Sequence, residues 1–369
     1  MIDVVQATFP DWKRFAALPR RLYDGDAAFS PVPDPELRAW FAGSHPCSPF
    51  LRFQAFLARR GGRTVGRCAA FINARLPVDG APLGTLGLYE CEADDAAAAA
   101  LLAGAQDWLR EQGCAMAWGP MNGSIWTGYR FLTSGSGHST FHGEPAHKPW
   151  YPGQFSAAGF KPIRRWHSLF LPPAEARLLR DDQVRLAASA RARGFRIRHP
   201  DPARVDAELA SIHAIIEDSY TSFLGFSSLA PGEFSDLYRG LTAVWNPELI
   251  QIAVDPQGRD VGFNIVLPDP GRGLRAMRGR SSLLARLRYL LAREANPAHV
   301  DLYLGIRREA GHLGVGSLLT HAACHNAIEA EVPFIIALVA EETSFASVEA
   351  RFPHVERHEY HLYARSLVP

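Results

Sequence analysis

The chain has 369 residues, enough for two domains at roughly 150 residues each, which excludes a single small domain. With Lys+Arg 39 against Asp+Glu 38 the formal charge is +1, so no global field draws the protein to nucleic acid or to an acidic membrane surface. A composition of 47% hydrophobic, 11% aromatic and 21% charged residues excludes disordered and fibrous classes, and five widely spread cysteines without a C-x-x-C pair point to a reducing cytoplasm.

In chain order, residues 12–41 join a short helical pattern, WKRFAALPRRLY, to the proline-rich stretch SPVPDPEL. Strand-like runs at 53–57 and 64–73 flank the turn RRGGR and predict an antiparallel hairpin, with a third strand at 83–91. Residues 94–113 predict a helix, with acidic residues at its positive end, strong helix formers within, and a glycine suited to a left-handed cap. Its apolar run at 96–105 is far too short to span a bilayer, and no membrane span is expected. A buried-strand candidate, CAMAWGP, follows, then a Gly/Ser/Thr/His-rich loop at 122–149, then a helix and strand in WYPGQFSAAGFKPIRRWHSLFL.

An arginine-studded helical pattern at 174–194 reads as a linker, after which the element order recurs. Helices at 203–221 and near 234–244 precede strands at 249–254 and 261–267; then come a strand at 300–306, a helix at 317–330, a strand at 334–339, a short helix near 345–352 and the final strand HEYHLYARSL. Element order alone predicts two alike units, residues 1–175 and 199–369, joined by a linker helix at 176–198. Residues 271–293 carry arginines at 272, 275, 278, 280, 286, 288 and 293 and no acidic residue, with Leu283, Leu287, Leu290 and Leu291 on one helical face.

The most informative local signal runs from Leu304 to Gly316, closing a strand and opening a helix with glycines at 311, 314 and 316. A helix N-terminus offers unpaired N–H groups and a partial positive charge, and glycines let a diphosphate approach them. The same glycines also suit tight strand-to-helix packing.

This strand, glycine turn, helix, strand, short helix, strand order resembles the GNAT superfamily of acyl-CoA N-acyltransferases, and the double unit resembles the bacterial tandem-GNAT proteins. The resemblance implies an α/β fold of the α+β type: two tandem units, each a mixed, mostly antiparallel twisted sheet flanked by helices. It implies acetyl-CoA or another acyl-CoA as co-substrate, no metal, and transfer to the amine of a small molecule. Gly314 and Gly316 match the small positions of the family's R/Q-x-x-G-x-G/A loop, while Gly311 stands where Arg or Gln is usual. The implied donor site comprises Leu304, Ile306, Arg307, Arg308, Gly311, His312, Gly314, Val315, Gly316 and Ser317, with Arg307, Arg308 or His312 supplying the charge. The family's thiolate-protonating Tyr has no counterpart between 341 and 353, where the aromatic residues are Phe345 and Phe352.

In the first half, Trp150-Tyr151 and Ala158-Gly159-Phe160 resemble the family's last helix and strand, but Cys91-Glu92-Ala93-Asp94-Asp95 sets three carboxylates where diphosphate would lie. The first unit is therefore not expected to hold CoA in the usual way. Acyl transfer to an amine needs a proton acceptor. In the second half Asp301 and Tyr303 are expected on one strand face, with Glu341 and Glu342 ending the next strand; in the first half Glu90 and Glu92 share a face, and Tyr151 lies beyond. Each of these carboxylates also reads as a cap or a structural ion pair.

The long loop's Asn122, Trp126 and Tyr129 are candidates for the acceptor pocket, while His138, His142 and His147 lack the spacing of a ligand set. The basic segment Arg272 to Arg293 reads as a solvated helix roofing the acyl site, as a contact for CoA phosphate, or as a contact for an acyl carrier protein. Two other functions stay open: an aminoacyl-tRNA-dependent transferase, against which the near-zero net charge counts, and an inert thioester- or metabolite-binding module.

Overall fold

Alternating apolar runs and strong helix formers give most of the anticipated strands and helices, although part of the helix expected near 345–352 and the end of the one expected near 234–244 fall outside the described residues. The computed structural model describes residues 1–26, 29, 31–78, 80–135, 140–240, 246–341, 348 and 350–368. The chain forms two compact units that interleave along the sequence: Met1–Trp166, Gly271–Arg293 and His358–Pro369 make the first, His167–Pro270 and Glu294–Arg357 the second.

The first unit begins with β1 (Ile2–Ala7), α1 (Trp12–Leu22) and α2 (Asp34–Ala42), followed by β2 (Leu51–Arg60), β3 (Arg63–Val78) and β4 (Ala81–Cys91). Next come α3 (Asp95–Glu111), β5 (Met116–Gly119), β6 (Phe131–Ser134), α4 (Tyr151–Ala157) and the start of β7 (Lys161–Leu171). The predicted hairpin is the β2–β3 pair, in register from Leu51↔Asn73 to Arg60↔Arg63. The predicted helix is α3; the Asp94 side chain caps it by accepting from the Ala97 N–H at 3.1 Å. Its Leu101, Leu102 and Leu109 are fully buried against Val65, Cys68 and Leu86, at roughly 2 kcal/mol for each leucine removed from water. Phe15 of α1 meets Phe41 of α2, which with Trp40, Phe53 and Phe71 forms a second aromatic layer.

The second unit holds the rest of β7, α5 (Pro173–Ala192), β8 (Arg196–Arg198), α6 (Val205–Ser219), α7 (Pro231–Tyr238), β9 (Ile250–Val254) and β10 (Asp260–Pro268). The chain then adds α8 (Gly271–Met277) and α9 (Leu283–Ala292) to the first unit, and returns with β11 (His299–Ile306), α10 (Val315–Glu329) and β12 (Phe334–Ala340). The last strand, β13 (Glu356–Ser366), passes from residue 358 onward into the first unit and pairs antiparallel with β5 and β6.

Strand order is β1-β2-β3-β4-β5-β13 in the first unit and β7-β12-β11-β10-β9-β8 in the second, antiparallel at the hairpins and parallel at β4–β5 and β11–β12. No helix among the described residues is long and apolar enough to cross a membrane.

Candidate functional site

Each unit contains a fork where two parallel strands part. In the second unit β11 and β12 pair at His299↔Phe334, Val300↔Ile335 and Asp301↔Ile336, and beyond Asp301 each strand runs on without pairing to the other. Asp301 stands at the apex. Burial holds its carboxyl well above the usual carboxylate range, at about 7, although the Asn264 amide, donating at 3.3 Å, pulls the other way.

The expected shared face of Asp301 and Tyr303 is corrected by the strand register. Asp301 pairs with Val266 and Tyr303 with Ile265, so a bulge at Leu302 sends the two side chains to opposite faces. Asp301 is accordingly buried, whereas Tyr303 and Leu304 are 40% and 38% exposed on the unpaired stretch of β11. There the hydroxyl of Tyr220, just past α6, donates to the Leu304 carbonyl at 3.1 Å.

From Ile306 the chain makes a 3-10 turn and enters α10 at Gly314, whose φ is 84°. A Cβ on Gly314 would lie 2.8 Å from the Leu186 carbonyl oxygen of α5, and one on Gly316 3.2 Å from Ile306. Close helix packing therefore accounts for Gly314. Gly311 is different: its nearest neighbour to an added Cβ is 3.6 Å away and its φ is ordinary. Arg308 and His312 are exposed beside it, while Arg307 donates to the Asp260 carbonyl and the Arg308 N–H to Asp218. Val315 is buried and Ser317 half-buried. Glu341 is exposed at the turn after β12. Glu342 and Phe345 lie outside the described residues, and Phe352 is buried.

The first unit's fork is closed by its own side chains. Strands β4 and β5 pair from Leu83↔Met116 to Thr85↔Trp118, after which the loop behind β5 takes over the edge of β4. Met121 N–H donates to the Leu86 carbonyl at 2.8 Å, and Leu88 N–H donates to the Asn122 side chain at 2.8 Å. Farther along, Cys91 N–H donates to the Tyr151 hydroxyl at 3.1 Å, Trp150 Nε1 to the Cys91 carbonyl at 3.0 Å, and Gln154 Nε2 to the Glu92 carbonyl at 3.1 Å.

Glu90 and Tyr151, picked separately from the sequence, meet here: the phenol donates to Glu90 Oε2 at 2.7 Å. Glu90 also faces Arg67 at 3.7 Å, and both are buried. Burial raises the Glu90 carboxyl and the Arg67 charge opposes that rise; burial likewise raises the Tyr151 phenol. Glu92 does not share this setting. The strand ends at Cys91, and Glu92 pairs instead with Arg63 at 2.7 Å and Arg21 at 2.9 Å.

Asn122 is a bracing residue, its amide nitrogen donating to the Thr127 carbonyl at 2.7 Å while its oxygen holds β4. Trp126 is half-buried in the same loop, and Tyr129 packs edge-on against Trp166 at 5.4 Å under Arg130. His147 bonds main chain through both ring nitrogens, to Leu132 N–H at 2.8 Å and Lys148 carbonyl at 2.9 Å, and burial lowers it to about 4. His138 lies outside the described residues, and among those described no three His, Cys, Asp or Glu gather as a metal site.

A cluster that sequence reasoning missed is Glu144 with His358, at 2.6 Å, and with the Tyr360 hydroxyl, all buried in the first unit. The spacing of His358 and Tyr360 on alternate positions of β13 was its only sequence signal. The basic segment forms α8 and α9 within the first unit, and the leucine face of α9 is exposed.

Mixed strands in each unit, with a parallel pair that parts and helices packed against them, define the tandem GNAT fold. A solved tandem GNAT protein from the clavulanic acid biosynthesis pathway superposes with a TM-score of 0.54 at 14% identity, covering 100% of this chain and 99% of that one. No protein-family model matches the sequence. Among curated proteins the chain is similar to the bacterial ceramide synthase of Caulobacter vibrioides, 28% identical over 289 residues, 76% of this chain and 73% of that protein. It is also similar to Protein YghO of Escherichia coli, 25% identical over 323 residues, 84% of this chain and 79% of that protein.

Proposed function

We propose that the protein is an N-acyltransferase that moves an acyl group from an acyl-CoA thioester to an amine, with the chemistry at the fork of the second unit. The observation that carries this reading is the contrast between the forks: the first unit spends the edge of β4 on its own loop, whereas β11 leaves Tyr303 and Leu304 exposed just past the buried Asp301, whose carboxyl is held up at about 7 by burial. The acyl chain lies along Tyr303 and Leu304. The donor diphosphate meets the turn from Gly311 to Ser317, with Arg308 and His312 beside it.

The amine attacks the thioester carbonyl, whose oxygen is polarised by a backbone N–H of β11. Asp301 takes the amine proton, the C–S bond breaks, and the thiolate leaves to solvent. A ceramide is the amide of a long-chain amino alcohol, so similarity to a ceramide synthase supports N-acylation and a long-chain amine as acceptor class.

A second reading places the chemistry in the first unit, favoured by the bonded Glu90–Tyr151 pair. Free-thiol release from acyl-CoAs of graded chain length, with long-chain amino alcohols and short amines, tests both. Asp301→Asn should lower kcat by about a hundredfold or more, the loss expected of a general base. If Asp301→Asn turns over normally and Glu90→Gln is dead, the second reading replaces the first. If no amine is acylated, the transferase reading fails.

A further inference from the structure

Residues 271–293 are used by neither fork. In the first unit α9 opens at Ser282, whose hydroxyl accepts from the Ala285 N–H at 3.3 Å, and its rotation is fixed from below. Ala285 is buried, and Tyr289 lies on Gly273, where an added Cβ would come within 2.7 Å of the ring.

At about 100° per residue that rotation sends Leu283, Leu284, Leu287, Leu290 and Leu291 outward in one arc roughly 120° wide. They are 83%, 57%, 51%, 55% and 78% exposed. Arg286 and Arg288 border the arc on either side; both are exposed, as are Arg280 and Arg293, and the segment has no acidic residue. Single exposed leucines are ordinary, but a contiguous apolar patch marks an interaction surface.

The geometry points to α9 as a membrane-docking helix that lies flat on an anionic lipid leaflet, its leucines in the acyl boundary and its arginines at the phosphates. Position favours lipid over an acidic protein. The charges sit at both borders of the apolar arc, where headgroups lie when a helix rests in the interface plane, and the protruding Leu283 and Leu291 need a deformable apolar phase. The inference stands apart from the assignment of the active site.

Co-sedimentation of the full chain with vesicles of phosphatidylcholine alone, or of phosphatidylcholine with phosphatidylglycerol, tests it. Binding is expected to the anionic vesicles and to fall as salt rises. The pair Leu287→Glu with Leu291→Glu, and separately Arg286→Gln with Arg288→Gln, should each weaken it about tenfold or more. The substituted residues are exposed, so the melting temperature should hold; if a pair lowers it, Leu291→Ser alone takes its place.

Absence of vesicle binding, or a leucine variant that binds like the parent, overturns the inference. So does binding of an acyl carrier protein, or a dimer, that the same variants abolish while vesicles are ignored.

Discussion

Asp301 was legible as a carboxylate on a strand, but not its surroundings, because the bulge at Leu302 that separates it from Tyr303 leaves no mark in the residue pattern. Its pH linkage gives a test independent of turnover. The folded-state value is raised from 3.8 to about 7, so the native state binds the proton more tightly than the unfolded chain. The stabilisation is complete below pH 3.8 and is lost as pH rises towards 7. Asparagine carries no charge to desolvate, so Asp301→Asn should stabilise the fold most above pH 7, by at most about 4 kcal/mol, with the advantage shrinking by roughly 2 kcal/mol near pH 5.5. Urea unfolding at the two pH values checks this, and a gain independent of pH would refute it. Glu90 was likewise visible as a charge in an apolar strand, while Tyr151, which meets it, lies too far along the chain to be paired from sequence. Tyr151→Phe strips Glu90 of a donor and the Cys91 N–H of its acceptor, which should cost about 1–3 kcal/mol by chemical denaturation. Adding Glu90→Gln should cost less than the two single effects summed; strict additivity would show the pair to be uncoupled.

Elements whose cause is local were readable: α3 from its acidic start and alanine-rich middle, β2–β3 from the glycine turn between two apolar runs. The glycine turn before α10 was readable as a turn, yet not its reason, because the α5 backbone against Gly314 comes from more than a hundred residues upstream. The two glycines should therefore part company on substitution. Gly314→Ala forces a side chain into a φ of 84° and against the Leu186 carbonyl, and should cost on the order of 2–3 kcal/mol of unfolding free energy. Gly311→Glu has room and ordinary backbone, so it should fold like the parent while repelling a diphosphate, raising KM for an acyl-CoA with little change in kcat. Parent-like kinetics from Gly311→Glu would remove the donor from this turn.

At the scale of the molecule, averages conceal what position reveals. A net charge of +1 argued against an acidic membrane surface, although it coexists with a 23-residue segment holding seven arginines and no acid, because the compensating carboxylates lie elsewhere. Long-range pairing is equally silent in sequence: β13 was readable as a strand, but its partners β5 and β6 lie more than two hundred residues earlier. That pairing makes a prediction about how stability is distributed. Ending the chain at Arg357 removes the partner of β5 from Tyr363↔Gly119 to Ser366↔Met116, and removes His358 and Tyr360 from the buried Glu144 carboxylate. An unpaired strand edge and a buried acid without donors each cost kilocalories, the acid alone about 1–3 kcal/mol. Amide hydrogen exchange should therefore quicken first in β5, β6 and α3 of the first unit, while the packed α5–α10 pair of the second keeps its protection. Faster exchange in α5 and α10 to the same degree would mean that the two units unfold as one, and that the C-terminal strand stabilises the whole chain and not the first unit alone.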